Sequence, residues 1–131
     1  MSESPDAQTV FAIHTATALG INDAKEFILN SPPLLVSRIL ESAEKIGRVP
    51  GQERTVENRT AILTDPIQDD ESLGPVVSRI LDEETTKALA NGGRRLGMCH
   101  QIWNHTKRRL SDEHDIEWFS PREMNPGSCF D

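Results

Sequence analysis

The residues best suited to chemistry gather in one stretch. Between Arg94 and Leu110 the chain carries Cys99, His100, Trp103 and His105 among five cations, Arg94, Arg95, Lys107, Arg108 and Arg109, and not a single acid. Cysteine beside histidine suggests a thiolate nucleophile next to a general base. The same residue types, joined by His14, His114 and Cys129, are also those that hold zinc through sulfur and imidazole nitrogen.

Helix geometry tests both ideas. With about 100° between successive side chains, Cys99 and His105 project to nearly opposite sides of a regular helix and do not close on one ion. Neither a Cys-x-x-Cys nor a His-Glu-x-x-His spacing occurs anywhere in the chain. Neighbours such as Cys99 and His100 diverge in the same way, so they form no hydrogen-bonded dyad by themselves. The favoured reading has Cys99 as a small buried hydrophobe and His100 at the rim of the core. No metal and no cofactor is expected, and a hydrolase-like enzyme using Cys99 and His100 stands only as a second alternative. His14, set among alanines and threonines, reads as a core-edge histidine.

The same wheel sorts the cations. Leu96, Cys99, Trp103 and Leu110 fall within an arc of roughly 60° and read as the packing face. Arg94, Gln101, His105 and Arg108 lie opposite, with Arg109 near the border. An exposed row of guanidinium and amide groups is what phosphate contacts and base reading employ. Yet the formal net charge is -7, the isoelectric point is near 5.1, aromatics are 5% and tyrosine is absent. That composition disfavours a dedicated nucleic-acid binder. Arg94, Arg95, Gln101, His105, Arg108 and Arg109 are therefore expected to meet a protein partner. Nucleic-acid binding through residues 94–109, with Lys107 added, is the first alternative, and the sequence leaves the oligomeric state open.

Charge alternates in blocks along the second half. Residues 61–91 hold seven acids against Arg79 and Lys87, and beyond the basic stretch come six more acids against Arg122 alone. Either the basic helix lies beside its own acidic segments, for a modest screened gain, or it offers a basic face to an anionic partner. The first is favoured.

These residues need elements to position them. Ala7–Leu19 reads as a helix, and so does Asp23–Leu29, with Asp23 and Glu26 at the spacing of a capping box. The third helix, Pro33–Ile46, sets Leu35, Val36, Ile39, Leu40 and Ala43 on one face and Ser37, Arg38, Glu41, Glu44 and Lys45 on the other. Residues 54–64 are rich in β-branched types and allow a small β-hairpin around Glu57-Asn58, although a helix with Val56, Thr60 and Leu63 inward also fits. Residues 64–72 read as an acidic, solvated loop. Pro75 opens a further helix, whose Val76–Asp82 echoes Leu35–Glu41; amphipathic helices draw on few letters, and coincidence accounts for the echo. Asn91-Gly92-Gly93 breaks the chain before the basic helix, and Ser111–Asp115 reads as a polar turn. Ser120, Pro121 and Glu123 then give a cap, a first-turn proline and a capping-box acid.

The fold class is thus mainly α: one compact helical domain over residues 1–131, of five or six helices, with the hairpin at 54–64 as an α+β alternative. Residues 1–6 are an N-terminal tail. No apolar run approaches the roughly 20 residues of a membrane span, and the polar, acidic start suits neither a secretory nor a transit signal. A cytoplasmic protein of bacterial or phage type is expected, with Cys99 and Cys129 as free thiols. The function expected is an interaction or regulatory module that works by protein contact.

Overall fold

Two hydrophobic clusters, each centred on one helix of the echoed pair, organise the protein. A computed structural model describes residues 5–90 and 97–128. Arg94, Arg95, Leu96 and Cys129 lie outside these. Among the described residues the chain is mainly helical, with no strand.

The first cluster unites α1 (Ala7–Ala16), α2 (Ile21–Asn30) and α3 (Pro33–Lys45). Val10 and Ile13 of α1, Ala24 of α2 and Leu35, Val36 and Ile39 of α3 meet there with Leu63, Phe119 and Met124. The helix α1 stops three residues short of the expected Leu19. The Thr17 hydroxyl donates to the Ile13 carbonyl at 2.6 Å and accepts from the Leu19 N–H at 3.3 Å, diverting the backbone from the helical ladder. In α2 the N-cap is Gly20 rather than Asp23, which instead lies in the first turn, where its charge suits the helix dipole.

The second cluster joins α5 (Leu73–Ala90) to α6 (Met98–His114) through Val77, Ile80, Leu110, Ile116 and Trp118. The echoed segments do equivalent work in the two clusters. Ile39 and Ile80 are both 0% exposed, Val36 and Val77 are both buried, and Ser37 and Ser78 both face solvent. Full burial of each isoleucine contributes about 1.5–3 kcal/mol.

The segment at 54–64 is no hairpin. Residues Val56–Thr60 form the short helix α4, because Thr55 and Asn58 make a capping box. The Thr55 hydroxyl accepts from Asn58 N at 3.1 Å and Asn58 Oδ1 accepts from Thr55 N at 2.9 Å, satisfying first-turn donors that a hairpin would have sent to a partner strand. The following extended residues find their partner in a side chain: Asn125 Oδ1 accepts from Leu63 N at 2.9 Å, and Asn125 Nδ2 donates to Leu63 O at 2.8 Å and Pro121 O at 2.7 Å.

The expected acidic loop at 64–72 is also corrected. Asp65 is 1% exposed and caps a single 3-10 turn, Pro66–Asp69, by accepting from Ile67 N at 3.1 Å. Gly74 seats this turn on α5, since a Cβ there would stand 2.4 Å from the Gln68 carbonyl oxygen. Helix α7 (Pro121–Met124) has the expected Ser120–Glu123 capping box.

Candidate functional site

Helix α6 starts at Met98, after Gly97 at φ +81, and runs on to His114 through the expected polar turn. Ile116 N donates to Leu110 O at 3.0 Å, closing the end around Asp115, whose φ is +55. The inward row is Met98, Ile102, Thr106 and Leu110: Leu110 faces in as expected, while Met98 and Ile102 take the places expected for Cys99 and Trp103. Thr106 makes the difference. It is 0% exposed and its hydroxyl donates to the Ile102 carbonyl at 2.8 Å, so a polar letter behaves as an apolar one. Cys99, His100 and Trp103 are only partly buried, and the His100 and Trp103 rings meet edge to face at 5.7 Å.

The cations of α6 divide between solvent and the protein's own acids. Arg109 turns inward to α5, with Nη2 2.9 Å from Glu83, Nη1 3.0 Å from Glu84 and Nε 2.8 Å from Glu113. Those three carboxylates raise the Arg109 pKa, keeping it charged at any ordinary pH. Burial pushes the Glu84 carboxyl up, but Arg109 and Lys87 together outweigh it and leave it below the usual glutamate value. His105 Nδ1 lies 3.5 Å from Glu84, and Lys107 Nζ reaches the Trp118 carbonyl and Glu123 Oε1, each at 3.0 Å. Gln101 and Arg108 face solvent. His14 Nδ1 lies 2.8 Å from the Leu19 carbonyl, its proton held there. Among the described residues no three His, Cys, Asp or Glu side chains stand close enough to hold a metal ion.

A second concentration of cations forms where the sequence pattern gave no notice. A cleft of about 370 Å³ opens between the C-terminal end of α1, the loop after α3, α4 and residues 125–128. Arg48, Arg54 and Arg59 line it, and among the described residues no lining residue is acidic. Arg48 comes from the loop that follows Gly47, at φ +77, and is fastened by three backbone carbonyls: Nε to Asn58 O at 2.8 Å, Nη1 to Ala16 O at 2.9 Å, and Nη2 to Ala61 O. Arg54 Nη2 lies 3.4 Å from Thr15 O, and Arg59 projects into solvent from α4.

Carbonyl oxygens orient these guanidiniums without cancelling their charge. Among the described residues none of the three enters an ion pair, whereas Arg38, Arg79 and Arg109 all do. Burial, followed by the nearby charge of Arg54, lowers the Arg48 pKa. An exposed apolar side chain also lines the cleft, Ile62 at 58%. The Thr15, Thr17 and Thr60 hydroxyls already donate to helix carbonyls, which leaves the guanidinium N–H groups and the Ser128 hydroxyl as the side-chain donors lining the cleft. Glu53 and Glu57 interleave with the arginines in sequence and hide them from a charge count, but neither lines the cleft.

The chain matches no protein-family model, no curated protein and no solved structure. Among the described residues no helix is long and apolar enough to cross a membrane.

Proposed function

We propose that this chain is a small cytoplasmic interaction module that acts by contact with a protein partner, and that the partner presents an acidic segment to the arginine-lined cleft. One observation carries this reading. In a chain of net charge -7, Arg48, Arg54 and Arg59 converge on a cleft that no acid lines among the described residues, together with exposed Ile62. Basic groups without internal counter-ions next to apolar surface complement an acidic, partly apolar peptide. Helix α6 is less suited to the task, because its Arg109 and His105 already face Glu83, Glu84 and Glu113. Arg108 and Gln101 face solvent from α6 and take no part in this cleft.

The test is co-purification of a tagged chain from its native cells, comparing Arg54→Glu/Arg59→Glu with Arg108→Glu. A stoichiometric partner kept by the native chain and by Arg108→Glu, and lost from the double variant, supports the reading. A partner kept by the double variant overturns it.

A further inference from the structure

We propose that the cleft formed by Arg48, Arg54 and Arg59 is a binding site for a phosphomonoester group. For the source of that group, a phosphorylated side chain of a protein partner, the proposal rests on the protein-contact reading above; the anion site itself does not.

The geometry supplies what a phosphate dianion needs. Arg48 is held in place by the carbonyls of Ala16, Asn58 and Ala61. Those three bonds occupy one N–H on each guanidinium nitrogen and leave one hydrogen on Nη1 and one on Nη2. A planar fork fixed before binding loses little freedom when an anion arrives. Arg54 is exposed, with a long 3.4 Å hydrogen bond to Thr15 O, and Arg59 extends into solvent, so both can close over a ligand. The space, about 370 Å³, is ample for a phosphate and the first atoms of its ester.

Charge distinguishes a phosphomonoester from a single carboxylate. Three guanidiniums without a carboxylate partner among the described residues leave about three positive charges in one partly enclosed place, and a phosphomonoester brings about -1.5 to -2 with three acceptor oxygens. One carboxylate brings a single charge and only two oxygens. Among the described residues the well-buried carboxylates are paired, Asp65 with Arg38 and Glu84 with Arg109 and Lys87. The cations of the cleft, half-buried Arg48 beside exposed Arg54 and Arg59, meet no carboxylate among them. The lowered Arg48 pKa agrees with this, since an anion would offset both the charge cost of its burial and its repulsion from Arg54.

Calorimetry at low ionic strength tests the proposal with four probes: inorganic phosphate, N-acetyl-phosphoserine amide, N-acetyl-serine amide and N-acetyl-glutamate amide. Each is titrated into the native chain, Arg54→Ala/Arg59→Ala, and Arg108→Ala as control. The exposed pair is chosen because Arg48→Ala would unfasten the loop. Saturable binding of both phosphate probes is expected, with the phosphoserine derivative the tighter. The double variant should lose about tenfold or more in affinity, and the control should match the native chain. Phosphate affinity unchanged in the double variant, or glutamate bound as tightly as phosphoserine, overturns the anion site. Inorganic phosphate bound more tightly than the phosphoserine derivative overturns the phosphoprotein source and keeps the site. An acidic partner that depends on Arg54 and Arg59 but is indifferent to phosphatase treatment leaves the protein-contact reading standing and overturns this one.

Discussion

Asp65 and Arg38 form an ion pair at 2.7 Å in which the carboxylate is wholly buried, its side chain 0% exposed against 15% for the arginine. The same carboxylate oxygen accepts from Phe119 N at 2.8 Å, and Arg38 Nη1 also donates to the Glu117 carbonyl. The pair therefore fastens α3 to both the 3-10 turn and residues 117–119. Removing one partner of a buried pair strands the other charge in a poorly solvated place. Arg38→Met is expected to lower the unfolding free energy by about 3–5 kcal/mol in urea titration. Lys45→Met is the comparison: its pair with Asp69, at 46% and 70% side-chain exposure, should hardly register.

Asn125 is expected to be as critical as a core residue. Asn125→Ala would leave the buried N–H and C=O of Leu63 without partners, at a cost of about 2–4 kcal/mol. Because Asn125 also lines the arginine cleft, the substitution should weaken phosphate binding as well, read by the same calorimetry.

Gly74→Ala should destabilise through overlap alone. The new methyl would meet the Gln68 carbonyl at 2.4 Å, backbone against side chain in a rigid turn, and overpacking of this kind costs about 1–3 kcal/mol. Gln68 Oε1 accepts from Trp118 Nε1 at 2.9 Å, so a shift in tryptophan emission should accompany the fall in melting temperature. Unchanged emission and melting would refute this account of the turn.

Acid should weaken the contact between α5 and α6. Arg109 holds the Glu113 carboxyl below its usual value, and Glu84 is lowered as well. A carboxylate with a depressed folded-state pKa binds fewer protons folded than unfolded, so stability rises with pH across that interval. The contribution is complete above the unfolded glutamate value of about 4.3 and is lost as pH falls from there through the lower folded values. Melting temperature should therefore drop below pH of about 4.3. Arg109→Met should be less stable at neutral pH and show a shallower acid decline, and an identical decline would count against the triad of carboxylates.

Much of the fold could be read from the residues because its signals are local. The apolar face of α3 and the capping box of Ser120 and Glu123 use positions three and four apart, which a helix brings together by itself. Residues 54–64 left hairpin and helix both open through a local ambiguity, since Thr55 and Asn58 serve a helix start as readily as Glu57-Asn58 serves a turn. Asp65 looked like part of a solvated acidic run because its partners, Arg38 and Phe119 N, are remote in sequence. The arginine cleft was hidden for the same reason. Arg48, Arg54 and Arg59 acquire meaning only when the carbonyl end of α1 and residues 125–128 close around them, and Glu53 and Glu57 made the segment look neutral. In α6 the charges were plain, but their direction depended on Thr106 turning inward.

Residues 116–124 contribute to both hydrophobic clusters: Ile116 and Trp118 to one, Phe119 and Met124 to the other. The consequence concerns the order of events at the ribosome. A nascent chain that has released α1 through α6 still lacks the keystone of each half, and Asp65 and Arg38 still await Phe119 N and the Glu117 carbonyl. Neither half has its complete core as it emerges, and both are completed by the same short segment once it leaves the exit tunnel.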